Sequence, residues 1–268
     1  MLANFYDYSK IIGEGSFGKV YMGEHRITKK KVAIKQNNEL EKFLLHESKI
    51  MRSLQTHKGI PKMIWYGRLD NKPTLIMELL EVSFRDIREK QQITNGKLIN
   101  NIVQQVFDIL EYIHSKNIIH RDIKPENLMF KTNKKDICLI DYGLARYYKI
   151  NGKHVEFEKH LNVVGSYNYC GINVNKGVRP SRRDDIESML YILLNMTSGM
   201  YPCNKNLTSL SVSEKNDYIY NYKTNLKYDG ANHFIQKNIR AIKYAQALKY
   251  DNDPDYGHVK SILKINNM

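Results

Sequence analysis

The hydrophobic period of this chain changes once, near Glu81, and that change limits the folds open to it more than any other feature. Before it, short apolar runs at Tyr8 to Ile12, Val20 to Gly23, Val32 to Lys35 and Thr74 to Leu79 are bounded by Gly, Lys and Asn turns. They read as an antiparallel sheet. One helix interrupts them, with Leu40, Phe43, Leu44, Met51 and Leu54 at the three-and-four spacing of a single buried face. Glu47 falls on that face, and a buried carboxylate is costly unless a cation meets it. After Glu81 the pattern turns helical: Ile99, Ile102, Val103, Val106, Ile109, Leu110 and Ile113 keep helical period, and Ile186 to Met196 is apolar nearly all round, as in a buried core helix. Between these helices, Asn127 to Phe130 and Ile137 to Ile140 flank a turn-forming segment and read as a small hairpin. The fold class is α+β: a small, antiparallel β-rich lobe with one key helix over residues 1–80, ending in a hinge, and a mainly helical large lobe over 81–268.

Gly13, Gly15 and Gly18 form GEGSFGKV between two of the strand runs. Glycine lets backbone amides approach phosphates with no Cβ in the way, so such a turn can close over a triphosphate. The residues after it continue the sheet rather than opening a helix, which argues against a dinucleotide-binding fold. Lys35 ends the strand VAIK, and pairing it with Glu47 answers the unsatisfied carboxylate while holding Lys35 to grip the α- and β-phosphates. The most specific segment is His120 to Asn127, HRDIKPEN. There Asp122 would accept a hydroxyl proton, Asn127 would hold Mg²⁺, and Lys124 would neutralise the transferred phosphoryl group. Asp141, followed by Tyr142 and Gly143, lies at the end of an apolar strand and supplies a second hard oxygen ligand for Mg²⁺.

The set GxGxxGxV, VAIK, HRDxKPEN and Asp-aromatic-Gly, in this order, resembles the protein-kinase signature and covers most of the chain. Lys124 within HRDIKPEN is similar to the serine/threonine version. HESKIMRSL around Glu47, the hinge MELL from Met77 to Leu80, SRRDDIES from Ser181 to Ser188 and LKYDNDPDY from Leu248 to Tyr256 resemble the casein kinase 1 superfamily. Gly171, Ile172 and Asn173 stand where most kinases carry Ala-Pro-Glu, again like that group; Tyr142 and GVRPSRR lean towards the related vaccinia-related kinases, whereas intact HRD and KPEN favour casein kinase 1 itself. The resemblance implies ATP and Mg²⁺ as cofactors and further roles for named residues. Met77 is the implied gatekeeper, and Glu78 to Leu80 bond the adenine edge through backbone groups. Val20, Ala33 and Leu128 sandwich the ring; Ile12, Ser16 and Ile140 complete the nucleotide-binding set. Asp185 anchors the catalytic-loop backbone and can also cap its own helix. The group reads acidic or phosphorylated residues near its target Ser or Thr with a basic pocket, but the matching arginine position is Asn168 here. Arg121, Lys176, Arg179 and Arg182 remain, although Arg182 and Arg183 can instead brace the large lobe. Ser166, Tyr167 and Tyr169 offer hydroxyls on the activation segment, yet the resemblance implies constitutive activity.

The net charge of +14 fits acidic or phosphorylated protein substrates; compositional bias towards Lys and Asn is the plainer alternative. Only Lys29 to Lys31 and Arg179 to Arg183 are dense basic blocks, and no aromatic residues interleave with a basic stripe, so no nucleic acid partner is expected. Neither a signal peptide nor a membrane span is expected, which places the chain inside the cell, in cytoplasm and/or nucleus; a monomer is expected. Cys138, Cys170 and Cys203 are widely separated, without a CxxC pair, and suggest packing rather than a disulfide framework or zinc site. Two competing readings are a nucleotide-binding pseudokinase and a small-molecule phosphotransferase. The intact catalytic positions oppose the first, and HRDIKPEN with the long segment from Asp141 to Asn173 opposes the second.

Overall fold

The computed structural model describes residues 5–15, 18–37, 41–90, 93–160, 162–199, 209–230 and 232–265. Ser16, Leu40 and Cys203 lie outside them. In chain order the elements are β1 (Tyr6–Gly15), β2 (Gly18–His25), β3 (Lys31–Gln36), α1 (Glu41–Ser53), β4 (Met63–Leu69), β5 (Lys72–Glu78), α2 (Phe84–Lys90), α3 (Gly96–Ser115), β6 (Ile118–Ile119), β7 (Leu128–Phe130), β8 (Ile137–Leu139) and β9 (Arg146–Tyr147). The short pair β10 (Lys149–Ile150) and β11 (Lys153–His154) comes next, then α4 (Ile172–Asn175), α5 (Arg182–Ser198), α6 (Val212–Thr224), α7 (His233–Ala247) and α8 (Tyr256–Leu263). The fold is α+β. No described helix is long and apolar enough to cross a membrane.

Two compact units divide the chain: residues 1–83 with 129–145, and residues 84–128 with 146–268. The first holds a five-stranded antiparallel sheet in the order β1-β2-β3-β5-β4. Period-2 alternation sorts its residues onto two faces. Val32, Ile34 and Ile76 turn to a dry cluster with Tyr6 and Leu69, against which Tyr8, Tyr21 and Trp65 pack. Lys35 is paired opposite Val20, Ala33 opposite Met77 and Val20 opposite Gly13, so these residues share the other face. The glycines that close the β1–β2 turn cannot be replaced freely: Gly18 has φ +114°, and a Cβ on it would lie 2.1 Å from the Gln36 carbonyl oxygen. The β7–β8 hairpin is tied to this unit by backbone bonds from Phe130 to Val82, from Glu81 to Phe130 and from Leu139 to Gly59. Its strand starts at Leu128, one residue later than the apolar run suggests, because Pro125 to Asn127 form a 3₁₀ turn; Ile140 lies just past the end of β8.

Helices dominate the second unit. In α3 the buried residues Ile99, Ile102, Val103, Val106, Phe107, Ile109, Leu110, Ile113 and His114 repeat at helical spacing, and Asn95 accepts a capping bond from the Leu98 amide at 3.0 Å. Every residue of α5 from Arg182 to Thr197 is buried. Its N-terminus is closed by a capping box in which the Asp184 carboxylate accepts from the Ser181 amide at 2.8 Å, and Gly199 ends it with φ 64°. This corrects the expectation that Asp185 also serves as the cap. Arg182 donates to the Tyr148 hydroxyl and the Asp251 carbonyl and pairs with Asp253, while Arg183 donates to the Leu248 carbonyl. Both arginines therefore brace the helical unit. Burial pushes the Cys138 thiol up to about 12 and the Cys170 thiol up to about 11, which leaves both as packing groups.

Burial also raises the Asp184 carboxyl, with the nearby Glu187 adding to it, to about 7. The folded chain then holds a proton near neutrality that the unfolded chain has already released, so stability falls as pH rises through 7. From pH 6 to pH 8 the fall due to Asp184 amounts to about 1 kcal/mol. Asp184→Asn keeps an oxygen for the Ser181 amide, and thermal unfolding at the two pH values should show that slope flattened in the variant.

Candidate active site

Within the first unit, α1 lies on the Lys35 face of the sheet and carries Glu47 to it. The Lys35 ammonium stands 2.8 Å from the Glu47 carboxylate and 2.9 Å from that of Asp141. The lysine and glutamate side chains are almost wholly buried and that of Asp141 is one-fifth exposed. Burial alone would lower the Lys35 pKa, but the two carboxylates outweigh it and raise it, so the site holds a fixed cation. Burial pushes the Glu47 carboxyl up while Lys35 pulls it back. Asp141 occupies the left-handed region at φ 66°, where β8 gives way to the 3₁₀ turn Tyr142–Leu144, and His46 of α1 bonds the Ala145 carbonyl at 2.7 Å to hold that turn against the helix.

Of the predicted adenine-binding residues, Val20, Ala33, Met77 and Glu78 fall on the same sheet. Ala33 and Met77 are buried and cross-paired, Val20 is half-buried, and Leu80 is buried just beyond β5. Glu78 accepts through its side chain from the Lys62 amide at 2.7 Å and pairs with Lys131 at 2.9 Å, and its own amide donates to the Lys62 carbonyl. Ile12 is exposed, Leu128 is buried, and Ile140 is half-buried.

Within the second unit the loop from His120 to Asn127 is folded around Asp122. Lys124 donates to Asp122 Oδ2 at 2.6 Å, and Asn127 Nδ2 donates to the Asp122 carbonyl at 2.8 Å and to Oδ2 at 3.3 Å. Asp122 Oδ1 is buried and has no hydrogen-bond partner among the described residues. The loop is fixed from below by Asp185, which accepts from the His120 amide at 2.7 Å and the Arg121 amide at 2.9 Å. A third bond, 3.0 Å, comes from His114 Nε2, whose Nδ1 lies 2.5 Å from the Tyr256 hydroxyl. With Nε2 donating to the carboxylate, Nδ1 is left to the Tyr256 hydroxyl. Burial would raise the Asp185 carboxyl, but His114 and the loop amides hold it below the usual carboxylate range. His114 and Tyr256 escaped the sequence reading, which had no signal to separate them from ordinary core residues.

The activation segment meets this loop at Gly165, which has φ +84°, and a Cβ there would lie 2.3 Å from the Arg121 carbonyl oxygen and 3.3 Å from Asp122 Oδ1. Only glycine allows that approach. Arg121 is pushed down to about 10 by burial and by the positive charges of Arg146 and Arg179. Arg179 is paired with Glu158 of the same segment. One expectation is corrected here: Tyr169 is not an available hydroxyl, because it is 5% exposed and accepts from Asn195 at 3.0 Å and from Arg88 at 3.4 Å.

The donor chemistry suits a nucleotide and a hard cation. In the first unit Asp141 offers a carboxylate and Lys35 a fixed positive charge of the kind phosphate oxygens take; in the second, Asn127 spends its Nδ2 on Asp122 and retains an amide oxygen, a hard donor. The fixed lysine beside two acids in the first unit, and by itself the aspartate with an unmatched oxygen in the second, each suit phosphoryl-transfer chemistry. The protein kinase domain model matches residues 6–252, most of the chain. This chain therefore belongs to the protein kinase family, which uses ATP and Mg²⁺, and it is an ATP-binding transferase that moves phosphoryl groups onto protein substrates.

Proposed function

We propose that the chain is a serine/threonine kinase of the casein kinase 1 superfamily, closer to casein kinase 1 itself, acting on acidic or phosphate-primed sites. The observation that carries its catalytic competence is the state of Asp122, with Oδ2 held by Lys124 and Oδ1 unmatched. That oxygen is the acceptor for the proton of a substrate hydroxyl as the hydroxyl oxygen attacks the γ-phosphorus and the bond to the ADP oxygen breaks. Lys124 offsets negative charge on the transferred group, and Lys35, kept in place by Glu47, holds the α- and β-phosphates. Asn127 and Asp141 would hold Mg²⁺, which when bound neutralises charge on the phosphates. The glycine turn would cover the triphosphate through Ile12, Gly13, Gly15, Ser16 and Gly18, and Val20, Ala33, Met77, Glu78, Leu80, Leu128 and Ile140 would contact adenine.

Lysine at position 124 supports serine and threonine over tyrosine, and the charge of +14 supports acidic partners. The formed Lys35–Glu47 pair and the Glu158–Arg179 pair, neither of which involves a phosphate, support activity without activating phosphorylation. Action as a monomer in cytoplasm and/or nucleus belongs to the same reading. A peptide array of primed, acidic and neutral Ser, Thr and Tyr sites tests it, using phosphatase-treated protein with Asp141→Asn as the blank. Transfer to Ser and Thr in acidic contexts is expected, with Asn168→Arg raising the preference for primed sites several-fold. Equal labelling of Tyr, or loss of all labelling after phosphatase, would count against it.

A further inference from the structure

Lys223 belongs to α6, a helix of mostly polar residues, yet it is 0% exposed. Its ammonium donates to the Tyr167 carbonyl at 3.1 Å, the Cys170 carbonyl at 2.5 Å and Asn175 Oδ1 at 2.9 Å, and stands 4.8 Å from the centre of the Tyr191 ring. A lysine gives up its hydration only where other acceptors replace it, and here three oxygens of one segment do so. Asn175 is itself held by reciprocal bonds with Asn216, at 2.8 Å and 2.7 Å. Glu187, pushed up by burial, is pulled back by the Lys223 charge, so the cation also compensates an acid of α5 that accepts from the Ile172 amide of the segment.

The segment that Lys223 grips is the one that abuts Asp122. Its first residue, Gly165, sits against the Arg121 carbonyl and beside Asp122 Oδ1, and its last residues lie on the lysine. Between them Tyr169 is fixed by Asn195 and Arg88. One end is therefore registered on the proton acceptor and the other on a buried cation. A displacement at the cation end is carried along a short, tied loop to the place where an acceptor hydroxyl must meet Asp122.

We propose that Lys223 is a positioning residue for the peptide substrate, holding residues 165–175 as a preset platform with an internal charge where a phosphate would otherwise be needed. This rests on the peptide-phosphorylating reading above. Water reaching ATP makes no use of the platform, so the ratio of peptide phosphorylation to basal ATP hydrolysis isolates the effect.

Lys223→Met, close in shape but uncharged, should lower kcat/KM for an acidic serine peptide by about tenfold or more. ATP hydrolysis and the KM for ATP should change less than twofold, and Lys223→Arg should recover part of the loss. Because removing a buried ammonium can prevent folding, Asn216→Ala serves as a second variant; it loosens Asn175 without touching the lysine and should show a smaller selective loss. Equal falls in both activities, or peptide activity unchanged in a folded variant, overturn the proposal. A wild-type protein that hydrolyses ATP but labels no peptide overturns the reading beneath it, and the proposal falls with it.

Discussion

Replacing Asp122 by Asn should reduce phosphoryl transfer to protein substrates by about 10³-fold, with the KM for ATP and the thermal midpoint close to wild type. The size of the effect comes from the division of labour between the two carboxylate oxygens. Oδ2 is committed to Lys124 and Asn127, and an amide at this position can keep that contact through its own oxygen. Oδ1 faces no partner among the described residues, and an amide nitrogen placed there can accept no proton. The variant therefore loses the chemical step and little else. Single-turnover transfer from labelled ATP, with unfolding followed in parallel, measures both; a variant within threefold of wild-type kcat would remove Asp122 from the role assigned to it.

Lys35→Met should be the most damaging single change in the first unit. It withdraws the cation from between Glu47 and Asp141, at 2.8 and 2.9 Å, and leaves a nearly sealed carboxylate without the charge that offset its desolvation, the Tyr142 backbone bond remaining. Removing one partner of a buried pair costs about 3–5 kcal/mol, and transfer should fall by about 10²-fold, since the phosphates lose their fixed charge. The pH dependence has a definite sign. Burial already pushes the Glu47 carboxyl up, and without the lysine it rises further. A carboxyl raised in the folded state contributes stability that is lost as pH increases, so the deficit of the variant should shrink from pH 8 to pH 6. Urea unfolding at both values checks this; a deficit independent of pH would show that Glu47 is not left as an uncompensated acid.

Much of this was legible in the sequence because the decisive residues sit in short local strings. Lys35, Glu47, Asp122, Asn127 and Asp141 announce themselves by neighbours, and the buried α5 by a run of apolar residues with no polar face. The strand β4 was missed because its residues are mostly half-buried and a register shift between Met63 and Trp65 breaks the alternation on which strand reading depends. The helix α6 hides for a related reason: its tyrosines and lysines give it almost no apolar stripe, and Lys223 looks like any surface lysine until the carbonyls of Tyr167 and Cys170 are placed around it. Long-range hydrogen bonding decides such cases, and no local pattern encodes it. The same holds for Tyr169, an ordinary hydroxyl in the string and a sealed one in the fold. Asp184 and Asp185 show how fine the limit is, since adjacent identical residues divide the work, one closing the helix and the other holding the catalytic loop.

The complete burial of α5 bears on how this chain can diverge. In α3, inward residues alternate with exposed ones such as Lys97, Asn101 and Gln104, so accepted substitutions can accumulate along one stripe and leave a helical rhythm in related sequences. From Arg182 to Thr197 no stripe faces water, and each side chain is committed to a neighbour on its own side. Drift there has no free side on which to begin. The helix should survive as an unbroken block while its surroundings change, so distant relatives would be recognisable along α5 after the exposed parts of the molecule have lost all likeness.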